Sequence, residues 1–123
     1  MARLDPGQER NELVVLSVLQ EAEQYGYAIS RTVAARSDGE LRLTPGALYP
    51  LLARLEKQGL IASRAEEVRS DRAEPGARGR TRKWYSLTAK GRKRLAKRIE
   101  AHRAQVRLME SFIAGSATEA EAG

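Results

Sequence analysis

The sequence contains no cysteine, which excludes disulfide bonds, thiol catalysis and cysteine-based zinc sites. Its single histidine, His102, cannot complete the usual zinc ligand sets without cysteine. The chain also lacks a glycine-rich phosphate loop and any grouping of Ser, His and Asp at a spacing suited to catalysis. These absences predict a protein that is not an enzyme and that binds no metal or other cofactor.

Long apolar runs are missing as well. The longest apolar stretch, Leu13 to Leu19, is interrupted by Ser17 and is far shorter than the roughly 20 residues that cross a bilayer. The first ten residues are charged and contain no apolar run, so they do not resemble a signal peptide. Together with the lack of cysteine, which suits a reducing compartment, this predicts a cytoplasmic protein that does not enter a membrane.

Positive charge is abundant but unevenly distributed. The 123 residues, of which 41% are hydrophobic, fit one small domain that gains stability from oligomerisation. Residues 1–60 hold seven Lys and Arg against eight Asp and Glu, whereas residues 61–123 hold fifteen against eight. A basic half indicates a polyanionic partner such as nucleic acid, although such charge can also serve only to solvate a surface.

Helix signals divide the first half of the chain. Asp5-Pro6 and Thr44-Pro45 are N-cap and N1 pairs, and Gly59 has the position of a C-terminal cap. Four leucines after Thr44 recur at helical spacing, which is typical of a core-facing stripe. The pattern predicts helices over residues 5–23, 26–36 and 44–58, and a short strand over Leu41–Leu43.

The second half predicts a hairpin and one long helix. The hairpin has two predicted arms, Ile61–Val68 and Arg80–Leu87, and a tip over Ser70 to Gly79 that is predicted to be mobile. We call this hairpin the wing. Thr88 caps a last helix predicted to reach about Ile113. The fold class is therefore mainly α with a small β-hairpin: a winged helix-turn-helix over residues 5–88, a C-terminal dimerisation helix over 89–114, and a disordered tail over 115–123.

The helix that begins at Thr44 is the predicted recognition helix. The N-terminal residues of such a helix reach base edges, and its free N–H groups suit a phosphate. Here they include Thr44, Gly46, Ala47 and Tyr49, without the Arg, Asn or Gln that reads guanine or adenine, so we expect more reliance on DNA shape. Pro50 lies inside this helix; its kink either fits the helix to the core or shapes the groove-facing surface.

The wing supplies the predicted cations Arg80, Arg82 and Lys83. Arginine on a hairpin can enter a narrow minor groove or bind phosphate, while the alternative is a solvated, self-paired hairpin. No acidic residue occurs from Arg78 to Arg98. We therefore expect this acid-free segment to supply much of the affinity for DNA.

The last helix begins with six cations: Lys90, Arg92, Lys93, Arg94, Lys97 and Arg98. Positive charge there opposes the helix dipole and costs stability. The arrangement indicates an external partner, either phosphate or an acidic subunit surface, or else a solvated charged face.

A heptad seam follows on the same helix and predicts a homodimer. Its members are Leu95, Ile99, His102, Val106, Met109 and Ile113. The early part of the seam can instead pack on the first helix of the same chain. His102 is either a polar register or pH-sensitive residue, or a plain interfacial histidine.

Over about residues 11 to 113 the chain resembles the PadR family of transcription regulators, in its shorter subfamily with one helix after the wing. The resemblance rests on Gly26–Ile29 (GYAI), Glu40–Pro50 (ELRLTPGALYP), Leu55–Ile61 (LEKQGLI) and Arg82–Gly91 (RKWYSLTAKG). It implies DNA-proximal positions for Tyr27, Thr44, Gly46, Ala47 and Tyr49, with Arg80 and Lys83 from the wing.

The resemblance also implies a homodimer that represses by binding a palindromic operator on double-stranded DNA. For some members it implies release by phenolic acids or flat hydrophobic drugs. Drug-binding members carry a tryptophan on the C-terminal helix, whereas the only tryptophan here is Trp84 on the wing. The rival hypothesis is a winged-helix protein–protein interaction module whose basic face binds an acidic partner.

Overall fold

The computed structural model describes residues 5–68 and 80–122, with side chains described over 5–67 and 81–115. The elements in these ranges are α1 (Pro6–Glu21), β1 (Gln24–Tyr25), α2 (Gly26–Arg36), α3 (Pro45–Lys57), β2 (Ile61–Val68), β3 (Arg80–Leu87) and α4 (Ala89–Ala122). The strands form one antiparallel sheet in the order β1-β3-β2. The predicted fold class, mostly helical with a small β-hairpin, is confirmed.

A capping box starts α1 at the predicted position. The Gln8 N–H donates to Asp5 Oδ1 at 2.8 Å, and the Asp5 N–H donates to Gln8 Oε1 at 3.2 Å. The helix ends at Glu21 rather than at residue 23, because Ala22 is already extended. Its inner face is buried through Val15, Leu16, Val18 and Leu19.

The predicted strand over Leu41–Leu43 is wrong. Ser37 Oγ accepts from the Leu41 N–H at 2.9 Å and lies 3.1 Å from the Leu41 carbonyl oxygen, so this segment makes its polar contacts locally. The strand beside β3 is instead β1, which pairs as Gln24 opposite Tyr85 and Tyr25 opposite Trp84.

Helix α3 begins and ends at the predicted signals. Thr44 Oγ1 accepts from the Ala47 N–H at 3.3 Å, and Pro45 takes the first helical position. Gly59 follows the helix in the left-handed region, with φ of 75°. The predicted stripe is buried: Leu48, Leu51, Leu52 and Leu55.

The hairpin has the predicted arms. The register of β2 and β3 runs from Ile61 opposite Leu87 to Val68 opposite Arg80. The predicted mobile tip, Ser70 to Gly79, lies outside the described residues.

Helix α4 packs closely on the start of β2. A Cβ at the buried Gly91 would lie 2.0 Å from the Leu60 carbonyl oxygen, so only glycine permits this approach. The Thr88 hydroxyl accepts from the Gly91 N–H at 3.0 Å and caps the helix. The helix continues beyond its predicted end at Ile113 to Ala122, through a segment rich in Ala and Glu that favours helix.

One hydrophobic core joins the first part of α4 to the rest of the fold. α1 contacts α2, α4 and β3. Leu95 on α4 is 1% exposed within this core, and Ile99 packs against it. Among the described residues, no helix combines the length and apolar character needed to span a membrane.

Candidate nucleic-acid interface

A groove between α3 and the wing brings together side chains from β1, α2, α3 and β3. It is lined by Tyr25, Gly26, Tyr27, Tyr49, Thr81, Arg82, Lys83 and Tyr85. We call it the α3–wing groove. Four predicted DNA-binding residues line it, namely Tyr27, Tyr49, Arg82 and Lys83, whereas sequence reasoning did not select Tyr25 or Tyr85 as functional residues.

The start of α3 exposes the other predicted residues of this helix beside the groove. Thr44, Gly46 and Ala47 are all exposed. The first turn of a helix leaves backbone N–H groups without intrahelical acceptors, and Gly46 presents such a group without a covering side chain. Gly46 and Ala47 line a second groove with the exposed Pro50 and with Arg54. The structure thus places a helix N-terminus next to the α3–wing groove.

Gly26 sets the position of Tyr49 in the groove. A Cβ at Gly26 would lie 3.0 Å from Tyr49 Cε1 and 3.1 Å from its hydroxyl oxygen, so a side chain there would crowd the ring. Tyr49 is 48% exposed and Tyr27 is 61% exposed. The glycine therefore allows two accessible phenols to lie at the meeting point of α2 and α3.

Tyr85 contributes a buried phenol to the same groove. Burial raises the pKa of the Tyr85 hydroxyl, and nearby Glu56 and Tyr49 add to the shift. The phenol therefore stays protonated at neutral pH. The alternation of β3, which turns Tyr85 away from the face of Trp84, is the sequence signal that could have identified it.

The wing cations differ in how their charge is compensated. Arg82 lies over the Tyr25 ring at 4.7 Å from its centroid, and neither Arg82 nor Lys83 has an ion pair within the described part of the chain. Arg64, in contrast, donates from Nε to Glu23 Oε1 at 2.9 Å, and this contact raises the Arg64 pKa. The backbone of Arg80 begins β3 opposite Val68, and its side chain lies outside the described residues.

Two cations at the start of α4 point inward, not toward an external partner. Glu12 on α1 is 0% exposed. Arg98 Nε lies 2.6 Å from Glu12 Oε2, and Arg94 Nη1 lies 3.8 Å from Glu12 Oε1. Arg54 from α3 approaches the same carboxylate at 3.7 Å. We call Glu12 and these arginines the inner cluster.

The inner cluster corrects the prediction for Arg94 and Arg98, because an internal acid, separated from them in sequence, takes up their charge. Lys90 is also engaged internally, since its Nζ donates to the Gln58 carbonyl at 2.7 Å. Arg92, Lys93 and Lys97 are exposed. In the folded chain, some cations of the acid-free segment therefore contact internal groups, while others face outward.

The predicted dimer seam is split too. Leu95 lies in the core of its own chain, which corrects its assignment to a subunit interface, and Ile99 packs against that core. His102 is exposed and lines a groove between α1 and α4. The later seam residues are exposed together with two that the heptad spacing did not select, giving Val106, Leu108, Met109, Phe112 and Ile113.

Comparison with protein families gives a match at residues 15–97, to the model of the transcriptional regulator PadR-like family. The chain belongs to this family. The match includes α2, α3 and both arms of the wing. The resemblance stated from the sequence motifs is therefore confirmed, and this PadR-like chain is a transcription regulator and not an enzyme.

Named relatives agree with this assignment. The transcriptional regulator YqjI of Escherichia coli is 30% identical over 101 residues, which cover 82% of this chain and 41% of that protein. A transcriptional regulator from Clostridium thermocellum, Cth-833, is similar with a TM-score of 0.70 and 28% identity, over 85% of this chain and 94% of that chain. A PadR family transcription regulator from Clostridium difficile is similar with a TM-score of 0.66 and 28% identity, over 83% and 96% of the two chains.

Proposed function

We propose that this PadR-like regulator is a cytoplasmic repressor that binds a palindromic operator as a homodimer. The observation that carries the proposal is the α3–wing groove. There, Arg82 and Lys83 lie beside the exposed phenols of Tyr27 and Tyr49. Cations attract phosphates, and aromatic rings contact sugars and thymine methyl groups, so the groove has the chemistry of a DNA-binding surface.

In the proposed complex the first turn of α3 enters the major groove. The Thr44 hydroxyl and the Gly46 N–H bind phosphate at the positive end of the helix dipole. Ala47 and Tyr49 contact a thymine methyl group or a sugar. Arg82 and Lys83, with Arg80, contact phosphates or the adjacent minor groove.

An exposed apolar face on α4 supports the homodimer. Every residue from 100 to 115 is exposed. The large apolar side chains among them range from 44% exposed at Met109 to 67% at Phe112. A group of such side chains on one helix favours packing against a second copy. The second copy would present another α3 to the next half-site, about 34–36 Å along the duplex.

The groove between α1 and α4 is the proposed place for a small hydrophobic or phenolic effector. Leu13 and Ala101 offer apolar surface, while His102, Gln105 and Arg10 offer polar groups at its edge. Such a mixture suits an aromatic ring with a hydroxyl or carboxylate. A ligand there would contact the base of the proposed dimerisation helix and could thereby release the operator.

Genomic fragment selection with the purified protein tests the DNA-binding proposal and yields the operator. The selected site is then titrated at several salt concentrations with wild type, Arg82→Ala/Lys83→Ala and Arg36→Ala. The double variant should bind at least about tenfold more weakly, with a log–log salt slope smaller by about two, because two phosphate contacts are lost. Arg36→Ala, at the far end of α2 from Tyr27, should match wild type.

Unchanged affinity and slope in the double variant would show that the wing assignment is wrong. Retention of no fragment, together with co-purification of an acidic protein, would favour the interaction-module hypothesis. Repression is tested by a reporter driven from the selected site, whose expression should rise when the regulator is deleted.

Light scattering tests the homodimer. Wild type at micromolar concentration should have twice the chain mass of 13.6 kDa. Phe112→Asp should give the mass of one chain, because a buried unpaired charge disfavours association. Ser111→Asp, one residue earlier and about 100° around the helix from Phe112, should remain dimeric. A monomeric wild type, or an unaffected Phe112→Asp variant, would refute the proposed interface.

A further inference from the structure

We infer that Tyr25 and Trp84 are positioning residues for Arg82. The Tyr25 ring binds the Arg82 guanidinium on its face. The Trp84 indole N–H binds the Glu66 carboxylate, which would otherwise pair with Arg82. The inference rests on the proposed DNA binding through the α3–wing groove, and it names the residues that make one wing cation available to DNA.

The strand register gathers the relevant side chains on one face of the sheet. Trp84 lies opposite Tyr25 on β1 and opposite Arg64 on β2, while Arg82 lies opposite Glu66. Alternate residues of a strand share a face, so Arg82 and Trp84 point to the same side. An aromatic pair is therefore flanked by one arginine on each side.

The aromatic pair fixes the platform beneath Arg82. The Tyr25 and Trp84 rings meet edge to face, with centroids 5.5 Å apart and an interplanar angle of 77°, and both are half-buried. The Arg82 guanidinium lies 4.7 Å from the Tyr25 centroid, within the range of a cation–π contact. An arginine held in this way loses less side-chain freedom when it binds a phosphate or a minor groove.

The acid nearest to Arg82 in register is occupied elsewhere. Cross-strand neighbours of opposite charge normally attract one another, so Glu66 is the expected partner of Arg82. Instead the Glu66 carboxylate accepts a hydrogen bond from Trp84 Nε1. No ion pair joins Glu66 to Arg82 in the described structure. On the other side of the aromatic pair, Glu23 compensates Arg64. Of the two arginines flanking the aromatic pair, Arg82 is thus the one without an ion pair in the described part of the chain.

The first experiment measures operator affinity for Tyr25→Leu, Tyr25→Phe, Arg82→Ala and the double variant Tyr25→Leu/Arg82→Ala. Tyr25→Leu should bind about two- to fivefold more weakly, the equivalent of an exposed cation–π contact. Tyr25→Phe keeps the ring face and should bind like wild type. The double variant should bind no more weakly than Arg82→Ala, because Tyr25 acts only through Arg82. A merely structural role for Tyr25 would weaken the double variant further.

The second experiment removes the indole N–H and then the acid. Trp84→Phe keeps an aromatic ring but releases Glu66 to pair with Arg82, so affinity should fall by about two- to fivefold. Adding Glu66→Gln to Trp84→Phe should give the same operator affinity as Glu66→Gln alone, because no carboxylate is left to pair with Arg82. Thermal unfolding of each variant separates these effects from loss of fold, and Tyr25→Phe provides a folded reference if Tyr25→Leu is unstable.

The outcomes distinguish the two levels of the hypothesis. If Arg82→Ala binds the operator like wild type, the proposed wing contact fails and the inference fails with it. If Arg82→Ala weakens binding while Tyr25→Leu and Trp84→Phe do not, the DNA-binding proposal stands and the positioning role is overturned. Failure of Glu66→Gln to rescue Trp84→Phe would overturn the role assigned to Trp84.

Discussion

The arginines of the inner cluster and the arginine Arg82 on the wing of this PadR-like regulator differ in how their charge is compensated. In the inner cluster, three guanidinium groups from α3 and α4 surround one fully buried carboxylate, that of Glu12. On the wing, Arg82 is exposed and rests on an aromatic ring, with its charge uncompensated among the described residues. The same residue type thus pairs with a buried acid in one region and stays exposed on an aromatic ring in the other.

A run of basic residues does not by itself define a binding surface. The acid-free segment from Arg78 to Arg98 is continuous in sequence, yet its helical part reaches back to Glu12 on α1. A buried carboxylate is costly unless it is paired, so Glu12 requires these arginines. The inner cluster consequently joins the proposed recognition helix α3 and the proposed dimerisation helix α4 to the same residue of α1.

The largest effect is expected from Glu12→Ala. Removing the carboxylate leaves three cations facing one another around a buried cavity, and breaking a buried pair typically costs about 3–5 kcal/mol. We expect a loss of this size in the free energy of unfolding, measured by chemical denaturation at fixed protein concentration because association contributes.

Glu9→Ala is the matched control. Glu9 lies one turn earlier, with a side chain 53% exposed and 3.8 Å from Arg98. An ion pair in that setting contributes about 0–1 kcal/mol. Equal costs for the two variants would show that burial of Glu12 does not distinguish the inner cluster.

The sequence predicted the elements whose signals are local. Helix caps and strand alternation depend on neighbours in the chain, so a few residues are enough to recognise them. Examples are Asp5-Pro6, Thr44-Pro45 and the two arms of the wing. The fold and the predicted groove residues of α3 and β3 follow from these signals.

Contacts between distant segments were not predictable in this way. Nothing near Glu12 indicates that its partners lie on α3 and α4, and two residues at Gln24–Tyr25 are too few to show strand alternation. The alternation at Leu41–Leu43 misled because Ser37 binds Leu41 locally. Leu95 has the same apolar character as Met109, and only the packing of α4 on α1 separates a core residue from an exposed one.

A smaller effect is expected from Arg98→Met, which removes the closest cation of the inner cluster. The Glu12 carboxylate keeps Arg54 and Arg94, so the cost should be about 1–3 kcal/mol for a weakened buried polar contact. The salt slope of operator binding should not change, because Arg98 faces an internal acid. Lys97→Ala, at the adjacent exposed position, should leave the free energy of unfolding essentially unchanged.

A different result for Arg98→Met would contradict the assignment of Arg98 to the inner cluster alone. If the salt slope fell by about one, as it does when a single phosphate contact is lost, the start of α4 would have to contact DNA. If Lys97→Ala alone lowered the slope, the exposed side of α4 would contribute and the wing would not be the main cationic surface.

A still smaller change is expected from Arg64→Ala, which tests whether an acidic neighbour separates the role of Arg64 from that of Arg82. Arg64 and Arg82 lie on the same sheet face, but Glu23 already binds Arg64. We therefore expect Arg64→Ala to leave operator affinity within about twofold and the salt slope unchanged, unlike Arg82→Ala. Glu23→Ala, which frees Arg64, should increase affinity and steepen the salt dependence. If Arg64→Ala instead weakened binding as much as Arg82→Ala, position on the wing would decide which arginine serves DNA, and compensation by a neighbouring acid would not.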